Sequence, residues 1–274
     1  MHAATGNHGK IAAALQAVLS RAGGALQSAV FPPRCHQCGT LPRQWPAAPG
    51  GYPHLCAPCH AALPWRPPAH APVLSAHIAR LYAPLEYAPP VAGWVRACKY
   101  ARREALAPLL GALMAAATHD APPDAETLAT PVPLHWRRHL WRGFNQSALL
   151  AESWRAHFTA AERPAPPVRH LLRRVRATPR QARLDAEARR GNLRGAITLA
   201  PGAEETIAGR TVLLVDDVLT TGATLNECAA VLHAGGAARV EALVLCVTEQ
   251  AAITLAVTDQ QATVWAHAEP GGSP

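Results

Sequence analysis

Thr211-Val212-Leu213-Leu214-Val215-Asp216-Asp217-Val218-Leu219-Thr220-Thr221-Gly222-Ala223-Thr224 is the stretch that decides the fold. Val212–Val215 is apolar without interruption, the pattern of a strand covered on both faces in a parallel sheet. The strand is predicted to end at Asp216-Asp217. After Val218-Leu219, a turn of small residues leads into a helix. In that helix Leu225, Cys228, Ala229 and Leu232 recur at i, i+3, i+4 and i+7, and Gly235-Gly236 closes it. A second apolar strand, Val240–Val247, follows. Strand, helix and strand in this order make a βαβ unit of an α/β fold. In such sheets ligands bind at the carboxyl ends of the strands.

The residue types at that end suit a sugar phosphate. A small-residue turn entering a helix offers backbone N–H groups and a positive dipole end to a phosphate. Thr220, Thr221 and Thr224 add hydroxyls, and Gly222 and Ala223 let the backbone come close. Asp216 and Asp217 would accept hydrogen bonds from a ribose diol or face a hard cation such as Mg²⁺. The structural alternative makes them plain loop acids, with Thr224-x-x-Glu227 as a helix capping box. Two adjacent carboxylates at the end of a buried strand are otherwise costly, which favours the binding reading.

This stretch resembles the phosphoribosyl-pyrophosphate motif of the type I phosphoribosyltransferases. The wider chain resembles the ComF family, which joins an N-terminal zinc ribbon to that fold. The further pieces, in family order, are Lys99-Tyr100, Pro131-Val132-Pro133-Leu134, Arg142-Gly143-Phe144-Asn145-Gln146, Thr178-x-x-Gln181, and Arg189 with Asn192. The resemblance spans roughly residues 30–248. It implies a central parallel sheet with flanking helices and a hood, and Mg²⁺-dependent transfer of phosphoribosyl from phosphoribosyl pyrophosphate (PRPP) to an acceptor. Asp216 and Asp217 take the catalytic, ribose-holding role, and Thr220–Thr224 hold the 5′-phosphate. Lys99, Arg142, Asn145, Thr178, Gln181, Arg189 and Asn192 become pyrophosphate or hood candidates. A part in DNA uptake during natural competence, with a helicase-like partner, is also implied, and related folds commonly form homodimers.

Four of the seven cysteines form Cys35-x2-Cys38 and Cys56-x2-Cys59, with seventeen residues between the two knuckles. Each knuckle presents two sulfurs from one tight turn, and two knuckles complete the tetrahedron of a four-thiolate zinc site. The Pro- and Gly-rich loop between them could hardly pack unaided, and structural zinc supplies ~10 kcal/mol apparent. Two disulfides or four free thiols are the alternative, and disulfides need an oxidising compartment. A four-cysteine site is closed, so its role is structural or for docking. His36, His54 and His60 are bystanders, and Cys98, Cys228 and Cys246 read as small core residues.

Between these features, Leu128–Leu134 reads as a short strand running into a Pro turn. Asn145 is the expected N-cap of the next helix, and Thr178-Pro179 breaks any helix in the arginine-rich stretch Leu171–Arg194. The segment His135–Arg142 interleaves Trp136 and Trp141 with arginines, as single-stranded nucleic-acid surfaces do. The equally good alternative packs both tryptophans inward.

The 274 residues carry 26 cations and 18 acids, a net +8, distributed unevenly. Residues 1–70 have no acid, residues 131–200 balance at +10 and residues 201–274 at −7. A basic centre points to a polyanionic ligand, or to an Arg-rich solvated face. No apolar window is long enough for a membrane span. Ile11–Leu19, behind Lys10, lacks a cleavage site and reads as a short amphipathic helix rather than a signal peptide. A cytoplasmic protein is expected. It would comprise an N-terminal helix (1–29), a zinc ribbon (30–66), a phosphoribosyltransferase domain (78–250) and a C-terminal tail (251–274).

Overall fold

The computed structural model describes residues 34–42, 55–66, 75–101, 103–119, 123–124, 126–134, 143–176 and 195–252. The expected N-terminal helix (1–29) and nearly all of the C-terminal tail fall outside them. The chain divides into two compact units, residues 1–46 with 54–60 and residues 47–53 with 61–274.

In the small unit, the first knuckle closes on Gly39, whose φ of +71° permits the tight reversal. Gly39 N–H donates to Cys35 O (2.9 Å), and Cys35 N–H donates to Thr40 O (2.9 Å). The second knuckle runs into helix α1 (Ala57–Ala61), which carries Cys59. Residues 61–66, expected in the zinc ribbon, pack in the large unit. Glu86 N–H donates to Pro64 O and Arg66 N–H to Pro84 O.

The large unit is built on a sheet of parallel pairs. Its strands are β1 (Arg80–Tyr82), β2 (Leu85–Glu86), β3 (Leu128–Pro131), β6 (Thr211–Leu219) and β7 (Arg239–Val247), in the order β1-β7-β6-β3 with β2 also on β7. The apolar runs read from the sequence are the buried interior strands: Val212–Val215 and Val240–Val247 are almost wholly inaccessible. Helix α6 (Ala223–Ala234) joins β6 to β7, which pair in parallel from Thr211↔Arg239 to Leu219↔Val247. The expected βαβ unit is therefore present.

One boundary differs from expectation. Strand β6 does not stop at Asp216 but continues through Asp217 and Val218 to Leu219. The reason is β7, whose Val244, Cys246 and Val247 continue the ladder opposite Asp216, Val218 and Leu219. The acids therefore sit inside the sheet. Successive side chains of a strand point to opposite faces, so they reach different surroundings.

Helix α2 (Val91–Tyr100) buries Val91, Trp94, Val95 and Cys98, and a 3₁₀ turn (Glu104–Leu106) leads into α3 (Ala107–Ala116). Almost every side of α3 is apolar and buried, as befits a helix held between α4 (Gln146–Ala160) and β7. A hairpin of β4 (Leu172–Arg174) and β5 (Ile197–Leu199) stands apart from the main sheet, and α5 (Ala203–Ile207) leads from it to β6. Because β3 and β6 are parallel neighbours, the loops leaving their carboxyl ends lie side by side.

Helices α3 and α4 meet at Gly111. A Cβ there would lie 2.5 Å from the Ser153 carbonyl carbon and 2.7 Å from Trp154 N, both backbone atoms. Gly111→Ala is expected to destabilise the protein by about 1–3 kcal/mol in urea unfolding, despite the better helix propensity of alanine.

Candidate active site and metal centre

The sulfurs of Cys35, Cys38, Cys56 and Cys59 all lie within 4.8 Å of one another. The Cys38–Cys56 Sγ separation is 3.7 Å. A tetrahedron with Zn–S bonds of about 2.3 Å has edges of about 3.8 Å, so the cluster fits zinc. Cys56 N–H points at Cys35 Sγ (3.5 Å), and the Thr40 hydroxyl lies 2.9 Å from Cys38 Sγ. The Thr40 hydrogen bond is the main reason the Cys38 thiol is lowered to about 6. Burial, with the neighbouring sulfurs, pushes Cys59 far up. A dication resolves that conflict by taking all four as thiolates. The seven cysteines are free, with no disulfide among them.

At the carboxyl end of β6 the two acids have separate partners. Ser147 Oγ donates to Asp216 Oδ1 at 2.8 Å, and the N–H of Asp217 donates to the same oxygen at 2.9 Å. Asp217 is only 6% exposed, and its Oδ2 lies 2.6 Å from Lys99 Nζ at the end of α2. Burial, then the negative charge of Asp217, pushes the Asp216 carboxyl up to about 6, against the opposing Ser147 bond and Lys99 charge.

The turn after β6 presents Thr220 and Thr221 to solvent, and Gly222 adopts φ +73° as the N-cap of α6. No side chain caps this helix. The Thr224–Glu227 capping box of the alternative reading is not formed, because the left-handed Gly222 starts the helix two residues before Thr224. Glu227 Oε1 instead accepts the N–H of Gly195 (3.0 Å). The first-turn N–H groups and the dipole of a twelve-residue helix thus open on the same edge as the acids.

A cleft of about 580 Å³ lies at the carboxyl end of β3. It is lined by Pro131 at the end of β3, by Pro133 and Leu134 of the loop after it, by Asn145, and by His170, Arg173 and Arg174 of the β4 side. Among the described residues no acid lines it. Burial holds Arg174 below its ordinary value, while the charges of Cys228 and Asp216 act on it in the opposite sense. Asn145 is the N-cap expected from the sequence. Its Oδ1 accepts Ser147 N–H (3.1 Å), and its Nδ2 donates to Val132 O (3.0 Å).

Hydrogen bonds therefore run from the loop after β3, through Asn145 and Ser147, to Asp216. Sequence reasoning missed Ser147, although it stands two residues past a recognised N-cap. It also missed Arg173 and Arg174, which nothing distinguishes from the surrounding arginines. Other arginines of the basic centre serve the fold: Arg163 donates to His119 O, and Arg155 pairs with Glu152. Arg142, Thr178, Gln181, Arg189 and Asn192 lie outside the described residues, as do His54 and the Trp136–Trp141 segment. Cys98, Cys228 and Cys246 are buried core residues with thiols raised by burial, as expected.

Residues 165–264 match the phosphoribosyl transferase domain family. Over 221 residues the chain is 36% identical to the DNA utilization protein YhgH of Salmonella typhi, covering 78% of this chain and 84% of that protein. The chain belongs to the ComF family. The Escherichia coli (strain K12) DNA utilization protein YhgH is 34% identical over 224 residues, with the same coverage of both chains. Competence protein F of Haemophilus influenzae is 38% identical over 111 residues, 40% of this chain and 46% of that protein. The ComF-family chain thus combines a type I phosphoribosyltransferase fold with a four-cysteine unit. No helix among its described residues is long and apolar enough to cross a membrane.

Two expectations follow. The purified protein should hold about one zinc per chain by elemental analysis, and Cys56→Ser should lose it along with the protease resistance of the small unit. For Asp216, a raised carboxyl contributes stability that is present below about pH 4 and lost as pH rises through about 6. Asp216→Asn should therefore stabilise the ligand-free protein by up to about 3 kcal/mol at pH 7.5 and by almost nothing at pH 4, read by urea unfolding. A gain independent of pH would contradict this account.

Proposed function

We propose that the chain binds PRPP at the joined carboxyl ends of β3 and β6 and transfers its phosphoribosyl group to a nucleophilic acceptor. The observation that carries this reading is the fixed doublet Asp216-Asp217 standing immediately before the glycine-capped N-terminus of α6. The doublet holds the ribose hydroxyls. Thr220, Thr221, Gly222, Ala223 and Thr224 hold the 5′-phosphate with backbone N–H groups and hydroxyls. The acid-free cleft beside Asn145, Arg173 and Arg174 takes the pyrophosphate end. Mg²⁺ bound with the pyrophosphate would supply neutralisation of the charge that develops on the leaving group. The protein's own contribution is to position the ribose and to set cations and dipoles against the departing anion. Arg142, Thr178, Gln181, Arg189 and Asn192 stay candidates for the pyrophosphate and hood side.

The relatives' names, DNA utilization protein and competence protein, support placing this chemistry in DNA use or competence. The family resemblance adds a cytoplasmic setting, single-stranded DNA and a helicase-like partner, and a homodimer. A second reading rests on the basic, aromatic-interleaved segment: the pocket senses a phosphoribosyl ligand without turnover and that segment binds single-stranded DNA. Under that reading DNA affinity falls by decades between low and moderate salt.

PRPP with Mg²⁺ is expected to raise the melting temperature of the wild-type protein, and Asp216→Asn combined with Asp217→Asn to abolish the shift. No shift at millimolar ligand would sink the assignment. A pyrophosphate-release assay across nucleobases and amines then separates the readings: turnover with one acceptor supports the transferase, and a uniformly negative panel with a retained thermal shift supports the sensor.

A further inference from the structure

Lysine is scarce in this chain, with Lys10 and Lys99 the only two among 26 cations. Lys99 stands in the last turn of α2, where a cation also suits the helix dipole. Its ammonium meets Asp217 Oδ2 at 2.6 Å, and the two side chains are only 20% and 8% exposed. Among the described residues that oxygen takes no further hydrogen bond. The neighbouring acid is treated differently. Asp216 Oδ1 is engaged by Ser147 and by the N–H of Asp217, no ion pair joins Asp216 among the described residues, and the side chain is less deeply buried. Adjacent in sequence, the two carboxylates are unequal in charge balance. One is cancelled by a lysine, and the other is held by hydrogen bonds without a counter-ion among the described residues.

A sugar phosphate whose ribose lies against the doublet is repelled by two bare carboxylates more than by one, and the repulsion fades with distance toward the pyrophosphate end. We propose that Lys99 is a positioning residue of the ribosyl-phosphate site, acting through Asp217. It cancels the second acid of the doublet and fixes its carboxylate, so that the anionic ligand meets a doublet of net charge −1. This rests on the phosphoribosyl reading above and assigns Lys99 to the ribose side of the site, through Asp217, rather than to the pyrophosphate.

Calorimetric titration with three probes tests it: ribose 5-phosphate, PRPP with Mg²⁺, and inorganic pyrophosphate with Mg²⁺. Lys99→Met is expected to weaken ribose 5-phosphate and PRPP by the same factor, about tenfold, and to leave pyrophosphate unchanged. Lys99→Arg should restore both affinities to within about threefold, since it returns the charge to Asp217. If Lys99→Met does not fold, Lys99→Gln is read by the same criteria. Unchanged affinities, or a loss that extends to pyrophosphate, overturn the proposal. If the wild-type protein binds neither ribose 5-phosphate nor PRPP, the phosphoribosyl reading itself falls. The pair is then judged in ligand-free unfolding of Lys99→Met, Asp217→Asn and the double variant. A double variant no less stable than the worse single upholds the coupling, and additive losses overturn it.

Discussion

Two adjacent carboxylates lie within the ladder of a central parallel strand, and much of the large unit is arranged around that constraint. Buried charge is tolerated only when paired and hydrogen-bonded. Asp217 obtains its pairing from α2 through Lys99, and Asp216 its hydrogen bond from α4 through Ser147. Strand β6 thereby fixes where the end of α2 and the start of α4 must stand. Asn145 extends the same constraint to the loop after β3 by bonding Val132 O while capping the helix that carries Ser147. Three chain segments far apart in sequence are registered against one doublet. The cost of an unsatisfied carboxylate is thus turned into the geometry of a site.

What was legible in the sequence was local. The apolar run before Asp216, the helical period from Leu225 to Leu232 and the two Cys-x2-Cys knuckles depend on near neighbours, so their spacing carries the physics directly. Asn145 was legible as a cap for the same reason. What was not legible depends on a partner distant along the chain. The strand runs on to Leu219 because β7 is opposite it, and no local signal at Asp216 reports β7. The capping box failed because Gly222 starts the helix early and Glu227 has a better use holding Gly195. Ser147 carries an ordinary residue type, and only the tertiary fold brings it to Asp216. Arg173 and Arg174 were hidden by abundance, since composition cannot single out two arginines among many.

The four-cysteine unit solves a different problem. Its described residues bury little beyond Cys35, Leu55 and Cys56, too little apolar surface to outweigh the entropy of ordering its loops. Metal–thiolate bonds would supply what that small core lacks, and the knuckle hydrogen bonds at Gly39 and Thr40 hold the sulfurs close enough for one metal ion. The thiol chemistry is consistent with this division. Cys38 and Cys59 of the knuckles are shifted in opposing directions, whereas the cysteines of the large unit are raised by burial.

Charge distribution is where the sequence was most suggestive and least decisive. A +10 centre by itself favours a long polyanion. The fold redistributes that charge among different duties. Arg155 is spent on a neighbouring acid and Arg163 on a helix end, while Arg173 and Arg174 reach an acid-free cleft beside the doublet. The acidic C-terminal third is divided in the same way, since Glu241 is consumed by Arg239 and Tyr82, and Glu227 by Gly195. Asp217, the buried acid of the doublet, meets Lys99, and Asp216 beside it takes its hydrogen bonds from Ser147 and the N–H of Asp217. On the proposed reading, a compact ligand with a ribose diol between two phosphate ends would set the diol against the doublet, between a helix N-terminus and a cationic cleft. A uniform polyanion would face both acids with like charge, so the position of the doublet argues for the compact ligand where net charge alone favours a long one.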